Sequence, residues 1–130
     1  MEKDVAIVNK MKELHPPLEH YDILQRLSKN RTVTEGNVTA TLLVGDARET
    51  IHDVATKVDV VFFDPFSPKK QPELWTVDVF KAIKQRMRPG GVLATYSCAK
   101  VVRENLEKAG FDVQDSVVIG RRGPATVAFA

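Results

Sequence analysis

The spacing of apolar residues changes once along the chain, from a helical period to a strand-like one. Before residue 28, apolar positions recur every three or four residues and predict two helices, over Asp4–Leu14 and Leu18–Leu27. The polar stretch 28–37 follows and predicts a loop with a turn at Gly36-Asn37. From Val38 onward, short runs rich in β-branched residues alternate with amphipathic stretches. The second part of the chain therefore reads as strands alternating with helices.

This alternation predicts an α/β fold with a mostly parallel sheet and right-handed crossovers. The predicted strands are Val38–Val44, Val58–Phe63, Val92–Tyr96, Val113–Ile119 and Thr126–Phe129. The predicted helices are Arg48–Ala55, one that Thr76 caps and Pro89-Gly90-Gly91 stops, and Val101–Ala109 with Gly110 as its C-cap. The short link Gly120–Pro124 permits a hairpin but no crossover, so the last strand is expected to be antiparallel.

Val58–Phe63 is almost entirely apolar, which is typical of a strand buried on both faces of a parallel sheet. Asp64 follows this run directly. A carboxylate buried at that position would be costly unless it had a partner or a task. The run therefore indicates a central strand with a functional residue at its tip.

Ligands of open α/β sheets bind at the carboxyl ends of the strands. Three predicted strand ends carry polar residues: Gly45–Arg48, Asp64–Pro68 and Thr95–Cys98. At the first of them, Asp46 could accept a hydrogen bond from an adenine amino group. It could equally cap the helix that follows, and the sequence leaves both interpretations open.

The triplet Asp64-Pro65-Phe66 resembles the D-P-P-Y type motif of amino-methyltransferases. An amine must lose a proton as it attacks the methyl group of a sulfonium. A carboxylate and backbone carbonyls can hold its N–H groups and aim its lone pair, and Phe66 offers a ring for stacking on a base. The alternative is a simple turn followed by a core phenylalanine.

Length and composition narrow the class of protein. The 130 residues suffice for a single domain, predicted over 1–130, and the net charge of +2 neither requires nor opposes a nucleic-acid partner. The only cysteine is Cys98, and the three histidines show no metal-ligand spacing. No run approaches the roughly 18 apolar residues of a membrane helix, and the N-terminus lacks a secretory signal. We expect a cytoplasmic protein without a metal or a membrane partner.

The run Asp64–Thr76 (DPFSPKKQPELWT) carries a more specific resemblance. It is similar to the D-x-F-[SA]-P-x-K-x-P-[ED]-[LM]-W-T signature of the tRNA 5-methylaminomethyl-2-thiouridine methyltransferases. Further matches occur in the family's order: Glu2-Lys3, Gly45–Arg48, Arg88–Gly91, Ala94–Ser97, Val102-Arg103 with Leu106, Ala109–Phe111 and Gly120–Arg122. The resemblance extends over almost the whole chain.

This resemblance implies methyl transfer from S-adenosylmethionine to the amine of a 5-aminomethyl-2-thiouridine at the wobble position of tRNA. The implied cofactor residues are Glu2 at the ribose, Asp46 with Ala47 at the adenine, and Asp64 near the methionine moiety or the incoming amine. The implied substrate residues are Phe66, Ser67 and Pro68 at the uridine, and Lys69, Arg121 and Arg122 at the RNA backbone. From the sequence alone, the lysine and the two arginines could equally be exposed surface residues that bind no RNA.

The resemblance implies a Rossmann-like methyltransferase sheet, and the sequence departs from it. It has no glycine-rich G-x-G-x-x-G loop, and we expect the family's first strand, first helix and most of its second strand to be absent. The family's sheet has the order 3-2-1-4-5-7-6, which leaves Val38–Val44 without its neighbours. That strand could slide beside Val58–Phe63, a second chain could donate strands, or the sequence could be part of a longer product. An open edge on an apolar strand favours a homo-oligomer or a partner that supplies the N-terminal strands. The alternative function is a catalytically incomplete tRNA-binding or partner-completing module that does not bind the cofactor alone.

Overall fold

A computed structural model describes residues 6, 10, 21–118, 120 and 123–130. They fall into two compact units, Met1–Asp53 and Val54–Ala130, which are described separately below. The single domain expected over residues 1–130 stays a prediction. The helix predicted over Asp4–Leu14 lies outside the described residues except for Ala6 and Lys10.

The first unit contains a helix, a small hairpin and a second short helix. Its elements are α1 (Tyr21–Asn30), β1 (Thr32–Glu35), β2 (Val38–Thr41), α2 (Ala47–Thr50) and a 3-10 turn (Ile51–Asp53). Helix α1 extends three residues beyond the predicted end at Leu27, and residues 18–20 of that prediction lie outside the described residues. The predicted helix Arg48–Ala55 corresponds to α2 together with the 3-10 turn.

Two predictions for the first unit are wrong. The stretch 28–37, predicted as a loop, contains the end of α1 and all of β1, and Val38–Thr41 pairs antiparallel with β1 rather than joining a parallel sheet. The two-residue loop has Gly36 first, at φ +58°, which is the glycine position of a type II′ hairpin. Two threonine pairs face each other across the strands, with hydroxyl oxygens 3.3 Å and 3.0 Å apart. Local turn chemistry therefore decided the pairing of this segment.

The second unit is a four-stranded mixed sheet with two helices. Its elements are β3 (Val58–Phe62), a 3-10 turn (Pro72–Leu74), α3 (Val77–Gln85), β4 (Met87–Thr95), α4 (Lys100–Lys108), β5 (Asp112–Asp115) and β6 (Thr126–Phe129). The strand order is β3-β4-β6-β5. Strands β3 and β4 are parallel, and β6 lies antiparallel between β4 and β5. Three strands thus share one direction, and the predicted α/β class with an antiparallel C-terminal hairpin is confirmed.

This order reproduces the 4-5-7-6 half of the sheet that the family resemblance implied. The strand corresponding to position 4 is β3, and among the described residues it pairs only with β4. The possibility that Val38–Val44 occupies the place beside β3 is therefore not realised in this structure.

One face of the sheet carries the core. Leu93 and Ala128 pair across β4 and β6 and are fully buried, and Phe80 of α3 and Leu106 of α4 are also fully buried. On β3, by contrast, Val60 is 54% exposed and Phe62 is 85% exposed. The prediction that this strand is buried on both faces is therefore wrong, because its alternate residues lie on the face that these core residues do not share.

Strand β4 begins earlier than predicted, since it includes Pro89-Gly90-Gly91 and starts at Met87. Between Val58 and Val60 the register with β4 shifts, and the extra residues of β4 are accommodated there. Gly90 has φ +78° at this irregularity. A Cβ on Gly91 would lie 3.0 Å from two backbone carbonyl oxygens, so the chain needs glycine there. The Pro-Gly-Gly sequence forms a strand bulge, and the prediction that it stops α3 is wrong, because α3 ends at Gln85 and β4 has already begun at Met87.

Helix α4 ends in the predicted glycine stop. Gly110 has φ +93°, its N–H donates to the Glu107 carbonyl at 2.8 Å, and the Phe111 N–H donates to the Leu106 carbonyl at 3.1 Å. These two bonds form a Schellman motif with its apolar contact residues buried. The next strand ends at Asp115, earlier than predicted, and Ile119 lies outside the described residues.

Candidate active site

The carboxyl ends of β3 and β4 lie side by side in the second unit. Their pairing continues past the last residue of β3, because the Phe63 N–H donates to the Ala94 carbonyl at 2.8 Å. Beyond it, the Tyr96 hydroxyl donates to the Pro65 carbonyl at 3.2 Å. The structure thus brings together two of the three polar strand ends that the sequence singled out, Asp64–Pro68 and Thr95–Cys98.

Asp64 lies at the tip of β3 and is exposed. Its carboxylate forms no hydrogen bond or ion pair with any residue that the structure describes. The sequence suggested a carboxylate buried at the end of the strand. This expectation is wrong, because the side chain stays in water and no burial cost arises. What distinguishes Asp64 is its position: the preceding residue, Phe63, packs edge-on against Trp75 at 5.2 Å and Phe80 at 5.5 Å between ring centroids. A free carboxylate stands directly beside a rigid aromatic cluster.

Pro65 and Phe66 form a turn whose backbone is bound on both sides. The Phe66 N–H donates to Gln71 Oε1 at 2.9 Å, and Trp75 Nε1 donates to the Phe66 carbonyl at 2.9 Å. The Phe66 ring itself is 69% exposed, so the alternative that it is a core residue is wrong. The turn presents an acid and an aromatic ring to solvent together.

Gln71, Trp75 and Tyr96 were absent from the site residues predicted from the sequence. Gln71 and Trp75 lie within the Asp64–Thr76 run, and Trp75 is the only tryptophan of the chain, 3% exposed. A single buried tryptophan inside a functional motif was the available signal. Its hydrogen bond to the turn could not be inferred from spacing alone.

The segment after the turn displays two lysines. The Ser67 carbonyl accepts hydrogen bonds from the Lys70 N–H at 2.7 Å and the Gln71 N–H at 2.9 Å, which closes a tight turn. Ser67 and Pro68 are half-buried, and Lys69 and Lys70 are exposed. The predicted contact of Lys69 with RNA stays a prediction, and its exposure is compatible with it.

A buried polar network lies behind the end of β4. Thr126 is fully buried and donates to the Ser97 carbonyl at 2.7 Å. Arg103 Nη1 donates to Thr126 Oγ1 at 3.3 Å and pairs with Asp115 at 2.8 Å. This network fixes the β4 tip, and therefore Tyr96, relative to β6 and α4.

Asp46 lies in the first unit and caps α2. Its carboxylate accepts from the Arg48 backbone N–H at 3.0 Å and from the Arg48 guanidinium at 3.0 Å and 2.7 Å, so the helix-cap interpretation is confirmed. Ala47, the first residue of α2, is half-buried. The role of Asp46 and Ala47 at an adenine stays a prediction.

The remaining predicted site residues, Glu2, Arg121 and Arg122, lie outside the described residues. Within the described ranges, no group of three or more acidic, histidine or cysteine side chains is arranged to hold a metal ion. No described helix is both long and apolar enough to cross a membrane.

Comparison with known families identifies the class of protein. A family model described as S-adenosyl-L-methionine-dependent methyltransferase matches residues 9–130. Because this match covers nearly the whole chain, the protein belongs to that family.

Comparison with individual proteins adds detail. The chain is 42% identical over 93 residues to the tRNA 5-methylaminomethyl-2-thiouridine biosynthesis bifunctional protein MnmC of Ralstonia nicotianae, covering 72% of this chain and 14% of the relative. It is 36% identical over 107 residues to the same-named protein of Pseudomonas putida KT2440, covering 82% of this chain and 16% of the relative. The crystal structure of MNMC2 from Aquifex aeolicus aligns with a TM-score of 0.71 at 40% identity, covering 87% of this chain and 38% of that one. This chain therefore spans only a small part of the relatives' length.

The residues predicted for the site divide into an acceptor side and a cofactor side for S-adenosylmethionine. The acceptor side is represented by the free carboxylate of Asp64 and the exposed ring of Phe66. On the cofactor side, Arg48 already binds both oxygens of Asp46, so an adenine amino group would have to share that carboxylate with it. This sequence also contains no glycine-rich turn that could wrap the methionine end. The roles of Asp64 and Phe66 at the acceptor and of Asp46 at the cofactor stay predictions.

Proposed function

We propose that this protein acts in the methylation of the amine of a modified tRNA wobble uridine, of the 5-aminomethyl-2-thiouridine type. S-adenosylmethionine is the proposed methyl donor, tRNA the proposed macromolecular substrate, and the cytoplasm the proposed location. The similarity to proteins named for tRNA 5-methylaminomethyl-2-thiouridine biosynthesis supports the substrate class.

The observation that carries the proposal is the geometry at the tip of β3. An exposed carboxylate, Asp64, and an exposed aromatic ring, Phe66, flank one proline in a turn that three other side chains hold. Such a turn can stack a pyrimidine on the ring while the carboxylate reaches the amine that the pyrimidine carries.

The protein's own contribution to the chemistry would then be orientation and proton handling. An alkyl amine is protonated at neutral pH and must become neutral before its lone pair can attack. The Asp64 carboxylate can accept an N–H hydrogen bond, favour one orientation of the nitrogen and receive the proton that the amine releases. When bound, S-adenosylmethionine supplies a methyl group on a positively charged sulfur. The exposed lysines 69 and 70 add positive charge near the path of the RNA backbone.

The test is methyl transfer by the purified chain. Tritium-labelled S-adenosylmethionine is incubated with tRNA that carries the aminomethyl nucleoside, and with the same tRNA lacking that modification as the matched control. We expect label on the exocyclic amine of the wobble nucleoside in the first tRNA alone. Equal labelling of both tRNAs, or none of either, would refute the proposed substrate.

A second candidate function is supported by the exposed apolar residues of β3. Val60 and Phe62 are 54% and 85% exposed on a strand whose other edge no described residue pairs. A catalytically incomplete module that binds tRNA, or that completes a partner or a second copy supplying further strands, would place such residues in an interface.

Calorimetric titration separates the two candidates. Binding of S-adenosylmethionine by the chain alone supports the enzyme. No heat at high micromolar cofactor, combined with retained binding to the anticodon stem-loop, supports the module. Light scattering during the same experiment reports whether the chain is a monomer.

A further inference from the structure

Three side chains from outside the turn hold the backbone of Pro65 and Phe66. They are Gln71, Trp75 and Tyr96, called the turn clamp below. Proline has no backbone N–H, so the turn has three polar backbone groups: the carbonyls of both residues and the Phe66 N–H. The Pro65 and Phe66 carbonyls accept from Tyr96 and Trp75 at 3.2 and 2.9 Å, and the Phe66 N–H donates to Gln71 at 2.9 Å. The hydrogen bonding of this turn is therefore satisfied within the protein.

The clamp is itself anchored in the core. Trp75 is 3% exposed, and its ring lies 5.2 Å from Phe63, 6.5 Å from Phe80 and 6.1 Å from Tyr96, each edge-on. The side chain of Asn105 donates to the Trp75 carbonyl at 2.8 Å and so ties it to α4. Gln71 is held through its own N–H, which donates to the Ser67 carbonyl. The turn thus rests on a packed support rather than on a mobile loop.

We propose that Gln71 and Trp75 are positioning residues for the methyl-transfer reaction. This inference rests on the proposed function. They fix the backbone of Pro65 and Phe66 so that the Asp64 carboxylate and the Phe66 ring keep one separation and one orientation toward the uridine. Each of the two carbonyls already accepts one hydrogen bond from the clamp, whereas the Asp64 carboxylate accepts none from a described residue, so this carboxylate is the proposed principal acceptor for the amine.

The decisive pair of variants is at Gln71, which is only half-buried. Gln71→Glu keeps an oxygen that accepts from the Phe66 N–H, whereas Gln71→Met keeps the length of the side chain and loses the acceptor. Gln85→Met makes the same change at an exposed position at the far end of α3 and serves as the control. Trp75→Phe keeps a buried ring, removes the N–H donor and makes the ring smaller, so Gln71 is the cleaner position of the two.

The primary readout is the split between kcat and KM for the aminomethyl-bearing tRNA. We expect Gln71→Met and Trp75→Phe to lower kcat by roughly tenfold to a hundredfold, since small misplacements of reacting groups have effects of this size. KM is expected to change less than about twofold, because neither Gln71 nor Trp75 is among the residues proposed to contact the RNA. Gln71→Glu is expected to keep the kcat of the wild type, a rescue that a merely structural role would not produce.

Hydrogen exchange of the Phe66 amide provides an independent readout in the free protein. Gln71→Met should speed its exchange by about tenfold, corresponding to the loss of one hydrogen bond, while Gln71→Glu and Gln85→Met leave it unchanged. Wild-type kcat in Gln71→Met and Trp75→Phe, or unchanged exchange in Gln71→Met, would overturn the positioning role while the proposed function stands. A wild-type chain without methyl transfer would instead refute the proposed function, and the positioning role with it.

Discussion

Thr126 offers the sharpest test of how the tip of β4 is held. Its side chain is fully buried, its hydroxyl donates to the Ser97 carbonyl at 2.7 Å, and the same oxygen accepts from Arg103 at 3.3 Å. Replacement by valine preserves the shape of the side chain and removes both hydrogen bonds. The substitution therefore isolates the polar network from the packing around it.

The expected cost follows from these contacts. A buried carbonyl that loses its donor destabilises the folded state by about 1–3 kcal/mol, and the extra methyl group of valine recovers less than about 1 kcal/mol. We expect Thr126→Val to lower the free energy of unfolding by about 2 kcal/mol, which corresponds to a fall in Tm of about 5–10 °C.

Trp75 supplies the assay. It is the only tryptophan, and it lies buried in the second unit, so its fluorescence reports the unfolding of that unit in urea. Thr56→Val, at an exposed position, is the matched control and is expected to stay within about 0.5 kcal/mol of the wild type. A Thr126→Val variant as stable as this control would refute the idea that the network holds the β4 tip.

Three further outcomes are expected. Gly110→Ala forces a Cβ into the left-handed conformation at φ +93° and should lower stability by about 1–2 kcal/mol in the same urea titration; an unchanged midpoint would contradict the Schellman cap. Asp46→Ala removes the cap of α2 and the ion pair between Asp46 and Arg48, and should lower the free energy of unfolding by about 1 kcal/mol. Thermal unfolding followed by circular dichroism measures this change, and an unchanged Tm would contradict the cap. Replacing Lys69 and Lys70 together by glutamine should weaken binding to the anticodon stem-loop and reduce the salt dependence of log Kd by a slope of about 2, as measured by fluorescence anisotropy; an unchanged slope would place the RNA elsewhere.

The order of elements in the second unit was predictable because each carries a local signal. Thr76 caps α3 as predicted, with its hydroxyl accepting from the Val79 N–H at 3.4 Å, and Gly110 stops α4. The apolar run of β3 and the hairpin of β5 and β6 were identified from residue type and link length. These signals depend on a few neighbouring residues, which the sequence displays directly.

The misplaced features depend on what lies beside or over a segment rather than on the composition of the segment itself. Val38–Thr41 has the composition of a sheet strand, but a glycine turn pairs it with Thr32–Glu35 instead. The apolar run of β3 predicted burial on both faces, yet Phe62 is 85% exposed because burial depends on what covers the strand. Composition determines that a segment is a strand, and does not determine its partner.

The candidate site also has one part that was predicted from the sequence and one part that was not. Asp64, Pro65 and Phe66 were found from the motif; Asp64 and Phe66 are exposed at the tip of β3, Pro65 is half-buried, and their predicted roles stay predictions. The side chains that hold the turn were missed. The bond from Tyr96 spans 31 residues and joins the ends of two strands, and the bonds of Gln71 and Trp75 could not be inferred from their spacing. Such long-range hydrogen bonds carry no periodic signal in the sequence.

In the proposed reaction, the carboxylate of Asp64 presents the amine of the wobble nucleoside for methylation. Asp64→Asn tests it most directly when methyl transfer and Tm are measured on the same preparation. Asp59→Asn, an exposed aspartate near the start of the same strand, serves as the control. We expect Asp64→Asn to reduce kcat by at least about a hundredfold and, because Asp64 is exposed and bonds no described residue, to leave stability within about 0.5 kcal/mol of the wild type. Full methyl transfer by Asp64→Asn would refute the proposed role of the Asp64 carboxylate.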